Sequence, residues 1–175
     1  IRETMKEQKL EMVVEPWKLT DVLAAMKSTH PYEEVAHGIW PLQQIHAGVG
    51  SGMLGELPQP MDEGAFLDAV KSALGCAAIR HTKLLGNPIL KVAVCGGSGG
   101  FLLPDALRAG ADVLVTSDFK YHEFFDADDR IVIADVGHYE SEWQTTDLIV
   151  NRINKYFPNF AVHLASANPN PIHYR

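Results

Sequence analysis

The apolar positions change period several times along the chain, and each change marks an element. Residues 10–16 (LEMVVEP) alternate, carry the β-branched pair Val13-Val14 and stop at Pro16, which predicts a strand. Leu19, Val22, Leu23 and Met26 then recur at helical spacing around a Thr20-Asp21 cap, and the helix they predict closes before His30-Pro31. Residues 35–42 (VAHGIWPL) read as a second strand. From Ile45 to Pro60 the chain is rich in Gly and Pro, which marks a boundary between two structural units, with the linker near 45–52.

Beyond the linker the spacing predicts a helix over 62–74, with Phe66, Leu67, Val70 and Leu74 on one face and acidic residues in the first turn, where the helix dipole favours them. Strands and helices then alternate: a strand over 89–95, a glycine loop over 96–100, a helix over 102–109, strands over 113–116 and 130–136, a helix over 140–157 and a last strand over 160–164. That alternation predicts an α/β layer with largely parallel strands.

Composition narrows the setting. At 175 residues, with 46% hydrophobic and 21% charged residues, the chain can build a core for one domain or slightly more. Its longest apolar runs (ILKVAVC, ADVLV, IVIADV) are far shorter than the roughly 20 residues of a membrane-spanning helix. The 22 acidic residues exceed the 15 basic ones, for a net charge of −7, and no Lys/Arg cluster could neutralise several phosphates; this argues against nucleic acid or anionic lipid and for a small-molecule partner. Cys76 and Cys95 are too few for a disulfide framework and lack zinc-ribbon spacing, so both are expected as buried thiols in a reducing compartment. The chain opens on Ile1-Arg2-Glu3, without a signal-peptide pattern, and is expected to come from the middle of a longer one.

Candidate chemistry gathers at the ends of predicted strands, where ligands sit in open α/β sheets. After Asp135-Val136-Gly137, a helix starting near His138 puts its imidazole one turn from the Glu142 carboxylate, close enough to share a metal such as Zn, Mn or Fe. Spacing alone leaves a second reading open, a histidine at a helix N-terminus with a solvated glutamate. Asp118 and His122 follow the preceding strand and could reach the same crevice as general acid/base or ligand-orienting groups; a helix cap with a surface histidine fits the spacing equally well. The loop Gly96-Gly97-Ser98-Gly99-Gly100 reads first as a tight turn facing the crevice, and second as an anion cradle. His30 to Val35 (HPYEEV) reads as a helix-to-strand turn with Glu33 and Glu34 in solvent.

Taken together, HPYEEVAHGIWPL, GMLGELPQPM, VAVCGGSGG, GADVLVTSDFKYHE, IADVGHYESE and ANPNP resemble, in order and spacing, the Nif-three-like dinuclear metal centre family, whose members are also named GTP cyclohydrolase 1 type 2 homologues. The likeness runs from about residue 10 to the C-terminus. It implies an α/β protein of two similar halves with two divalent metal ions between them, assembled as a homohexamer, with a PII/CutA-like α+β insert between the halves. Residues 1–46 then correspond to the C-terminal part of the insert and 47–175 to the second half.

Under the resemblance, the GH-x-x-x-E segment at Gly137, His138 and Glu142 supplies a histidine and a glutamate to the metals. Thr116, Asp118 and His122 match a neighbouring segment, with Ser117 where the family usually has glycine. The first half's paired histidines and aspartate have no counterpart here, so the isolated chain is expected to offer an incomplete site and to be inactive. Two functions follow for the parent protein: a cytoplasmic metal-dependent hydrolase opening the GTP imidazole ring, or a metal-binding regulatory scaffold without turnover.

Overall fold

The computed structural model describes residues 6, 8–43, 48–165 and 170–175. Part of the expected linker, and most of the ANPNP run, lie outside the described residues. The chain divides into two compact units, Ile1–Ile45 and His46–Arg175.

In the first unit a 3₁₀ turn, Pro16–Lys18, leads into helix α1, Leu19–Thr29. The helix starts earlier than the expected Thr20 cap because Pro16 opens the turn that runs into it. Its end is closed by the Thr29 hydroxyl, which donates to the Ala25 carbonyl at 2.8 Å, and by the His30 amide donating to the Met26 carbonyl at 3.0 Å. Just beyond, the Tyr32 amide donates to His30 Nδ1 at 3.1 Å, a local turn with Glu33 and Glu34 exposed. Neither strand expected at 10–16 and 35–42 forms among the described residues. A strand's backbone groups need a neighbouring strand, and none of the described residues in this unit offers one, so Val13 (82% exposed) and Trp40 (74%) remain in solvent.

The second unit is built on a five-stranded mixed sheet in the order β1-β3-β4-β5-β2. The strands are β1 (Met53–Met61), β2 (Arg80–His81), β3 (Ile89–Val94), β4 (Val113–Thr116) and β5 (Val132–Asp135). The central three are parallel, as the alternation predicts, whereas β1 joins β3 and β2 joins β5 antiparallel. Sequence patterning misses both edges. β1 contains Pro58 and Pro60, which lack the amide donor; an edge strand bonds on one side only, and a register shift between Glu56 and Met61 accommodates them. β2, at two residues, is too short for any periodicity.

Side chains alternate across the sheet and split the core in two. Leu114, Ile131 and Ile133 pack with Leu103, Ala106 and Phe119 on one face. Val113, Val115, Val132, Ala134 and Val136 pack on the other beneath Phe66 of helix α2, Glu63–Leu74. Burial on both faces explains why the central strands are continuous apolar runs. Asp62 caps α2 by accepting from the Ala65 amide at 3.0 Å. Buried Glu63 accepts from the Leu85 and Gly86 amides at 2.8 and 2.9 Å, tying the loop before β3 to the helix.

Helix α3, Leu103–Arg108, links β3 to β4 behind the glycine loop and a 3₁₀ turn at Gly100–Leu102. The single helix expected at 140–157 is two, α4 (His138–Glu142) and α5 (Thr145–Tyr156). Between them the Trp143 indole and the Gln144 amide donate to the Leu74 and Ala73 carbonyls, each at 3.2 Å, satisfying free acceptors at the end of α2. The strand expected at 160–164 does not form; without a ladder partner, Phe160 and Leu164 are exposed. Among the described residues no helix is long and apolar enough to cross a membrane.

Candidate metal centre

Parallel pairing sets Thr116 opposite Asp135 at the carboxyl ends of β4 and β5, so the residues that follow each strand emerge side by side. After β4 comes Asp118, in the left-handed region at φ 60°. After β5 comes Gly137, at φ 92°, and then His138 at the start of α4. His138 Nδ1 lies 2.6 Å from Asp118 Oδ2. Its other ring nitrogen, Nε2, lies 3.3 Å from Glu142 Oε2, one helical turn on.

The glycine loop forms the floor beneath this chain of three side chains. Gly97 is left-handed at φ 63°, and a Cβ there would overlap Glu142 Oε1 and come 3.3 Å from His138 Cε1, so only glycine lets both side chains approach the backbone. The Gly97 amide donates to Ser141 Oγ at 2.9 Å, and that hydroxyl donates to the His138 carbonyl at 2.8 Å. Thr116 Oγ1 donates to the Gly97 carbonyl and accepts from the Gly99 amide, both at 3.0 Å. With the Gly97 and Gly99 amides committed inside the protein, the loop acts as the tight turn of the first reading.

The buried carboxylate of Asp135 lies behind the site, and that of Glu140 packs against Gly137 beside it. Asp135, 4% exposed, accepts from the Phe119 amide at 3.0 Å through Oδ2 and from the Gly137 amide at 3.2 Å through Oδ1. Arg80 of β2 donates to the same Oδ2 and to the Phe119 carbonyl, the latter at 2.9 Å.

The electrostatics favour a charged imidazole. The hydrogen bond to Asp118 pushes the His138 pKa above its ordinary value, and the charges of Asp118 and Glu142 add to this against a smaller opposing effect of burial. A metal at Nε2 would take the place of that proton.

Of the four residues singled out in the sequence, the structure brings Asp118, His138 and Glu142 together. His122 stands exposed on a 3₁₀ helix, Tyr121–Ala127, with no hydrogen bond or ion pair to the other three. Among the described residues no group of three or more His, Cys, Asp or Glu could hold a metal ion. The donors present nonetheless suit one. An imidazole with Nδ1 held by a carboxylate and Nε2 beside a second carboxylate is chemically suited to a metal, and would offer at most two of the three or four protein ligands that a complete site needs.

Sequence reasoning gave no role to Ser141, Asp135 or Arg80. Asp135 carries a readable signal, since an aspartate two residues before a glycine can accept that glycine's amide in a turn. Arg80 carries none, because its partner lies 55 residues away.

Three comparisons bear on what this site is. A family model described as Duf34/NIF3 (NGG1p interacting factor 3) matches residues 4–171. The GTP cyclohydrolase 1 type 2 homolog of Halalkalibacterium halodurans is 40% identical over 137 residues, covering 78% of this chain and 37% of the relative. That of Staphylococcus epidermidis is 31% identical over 178 residues, covering 99% of this chain and 48% of the relative. Among solved structures, Staphylococcus aureus protein SA1388 superposes with a TM-score of 0.74 at 27% identity, covering 96% of this chain and 56% of that one. A Bacillus cereus protein related to NIF3 gives 0.72 at 30% identity, covering 93% and 46%. The chain thus spans about half, or less, of the length of the curated relatives it matches.

Proposed function

The chain belongs to the Duf34/NIF3 family, and from that membership we propose that it is the second α/β half of a two-lobed, dinuclear-metal hydrolase that acts on a nucleotide or similar small molecule. The observation that carries the proposal is the state of His138: Nδ1 hydrogen-bonded to Asp118, Nε2 turned to Glu142 across Gly97. The relatives' name, GTP cyclohydrolase 1 type 2 homolog, gives the reaction class to test first.

In this proposal His138 Nε2 and the Glu142 carboxylate hold metal, and Asp118 keeps the ring proton on Nδ1 so that the Nε2 lone pair is free. When bound, divalent Zn, Mn or Fe supplies Lewis acidity and brings the ionisation of water toward neutral pH. Ser141 and Gly97 fix the start of α4 so that imidazole and carboxylate keep their spacing. His122, in solvent on the helix after Asp118, would exchange protons with the medium. The remaining ligands, a paired-histidine segment and an aspartate by family resemblance, would come from outside this chain. Residues 1–46 would be the later part of a PII/CutA-like insert, and the assembly a cytoplasmic homohexamer.

Elemental analysis tests the proposal. Two metals per chain of the longer protein, lost with His138→Ala and Glu142→Ala, together with Mn²⁺- or Zn²⁺-dependent hydrolysis of GTP, is the expected result. A longer protein that takes up neither metal would overturn it. A second reading, a regulatory scaffold without turnover, keeps the same two donors and is favoured by His122 standing apart from them in solvent; a fully metallated protein inert to nucleotides would support it.

A further inference from the structure

Two backbone amides flank the residues that face each other across the site. Phe119 follows Asp118, Gly137 precedes His138, and both donate to the one buried carboxylate of Asp135, at 3.0 and 3.2 Å. We propose that Asp135, held in place by Arg80, is the positioning residue that sets the Asp118–His138 contact, an inference that rests on the metal-site reading above.

The backbone shows why such a tether is needed. Asp118 sits at φ 60°, a region that aspartate enters more readily than most residues but does not hold by preference, so its neighbours keep it there. On one side the Ser117 amide is tied to the Gly97 carbonyl at 3.0 Å. On the other, the Phe119 amide is tied to Asp135. Releasing the second tie lets residue 118 relax and swings its carboxylate away from the imidazole. Asp135 acts on His138 as well, because its bond to the Gly137 amide shapes the turn, at φ 92°, from which α4 departs.

A buried carboxylate needs a compensating charge, and β2 supplies it. Arg80 pairs directly opposite Asp135 across the β2–β5 ladder. Its guanidinium donates to both Asp135 and the Phe119 carbonyl, so Phe119 is clamped at its amide and its carbonyl. The guanidinium also lies 5.5 Å from the centre of the Phe124 ring, which packs against Phe119. A two-residue edge strand contributes little pairing; what it contributes is the cation behind the site.

The experiment compares Asp135→Asn and Arg80→Met with Phe66→Leu, a core change beneath the opposite face of the sheet. Asp135→Asn turns an NH₂ group toward one of the two amides, and Arg80→Met removes the cation from a partly exposed position, so it carries the test if the first variant fails to fold. In metal-free protein the ¹⁵N resonances of the His138 ring report the bond to Asp118. Both site variants are expected to shift them, and to weaken Mn²⁺ binding by the longer protein about ten- to a hundredfold. Phe66→Leu, even with a comparable loss of Tm, is expected to leave the resonances unmoved and affinity within about twofold. Site variants that behave like Phe66→Leu would overturn the proposal. A wild-type longer protein that binds no Mn²⁺ would overturn the metal reading alone, since the metal-free resonances decide the positioning role by themselves.

Discussion

Asp118 Oδ2 and His138 Nδ1 meet at 2.6 Å although 20 residues separate them, because β4 and β5 are parallel neighbours that end at the same level. The contact places the proton of a neutral imidazole on Nδ1 and leaves Nε2 facing Glu142.

Asp118→Asn should test that contact with little disturbance to the backbone, because asparagine tolerates the left-handed region that position 118 occupies. Affinity of the longer protein for Zn²⁺ or Mn²⁺ should fall about tenfold or more while the fold is kept. Competition against a chromophoric chelator measures it, and unchanged affinity would remove Asp118 from the site.

The same contact makes the metal-free protein sensitive to pH. Folding raises the His138 pKa, first through the Asp118 hydrogen bond, so the folded state holds that proton more tightly than the unfolded chain. Its stabilising contribution is fully present below the ordinary histidine value of 6.5 and is lost as pH rises through the higher folded value. The Tm difference between wild type and His138→Ala, without metal, should therefore shrink from pH 5.5 to 8.5; a difference that grows with pH would contradict the assignment.

Gly97→Ala should damage stability and the site together. The left-handed φ costs about 1–2 kcal/mol for a residue with a side chain, and the added methyl would displace the Glu142 carboxylate. A lowered Tm with lost metal uptake is expected, and a variant that is destabilised yet binds metal normally would show that the loop does not set Glu142.

Glu63→Ala should be costly at a distance from the site. It leaves the Leu85 and Gly86 amides without their acceptor, at about 2–4 kcal/mol. Urea titration against wild type measures the loss, which should leave Mn²⁺ affinity unaltered.

Cys76 and Cys95 are free and buried, and burial pushes both thiols up, helped by the carboxylates of Glu140 and Glu142 respectively. The protonated form is retained above the ordinary value of 9.0, so any stability from this source is present below that pH and declines as pH rises past it. Iodoacetamide at pH 8 should label the folded protein at least about tenfold more slowly than the urea-unfolded chain.

The amino-acid sequence by itself determined the elements whose own apolar spacing specifies them. The runs at 89–94, 113–116 and 132–135 are strands because β-branched and aliphatic residues fill both sides of each, and α1 and α2 follow from apolar stripes at helical spacing. His138 and Glu142 were legible for the same reason, since i and i+4 on a helix are neighbours in any fold.

What required a partner could not be read locally. Tertiary structure alone decided that residues 10–16, 35–42 and 160–164 form no strand, since a strand's hydrogen bonds belong to its neighbour. It made a strand of β1 despite two prolines, because an edge asks for bonds on one side only. It also brought Arg80 onto Asp135, and Asp135 onto the amides beside Asp118 and His138. These contacts join residues from separate strands and turns, and parallel pairing, which no local pattern encodes, sets their distances.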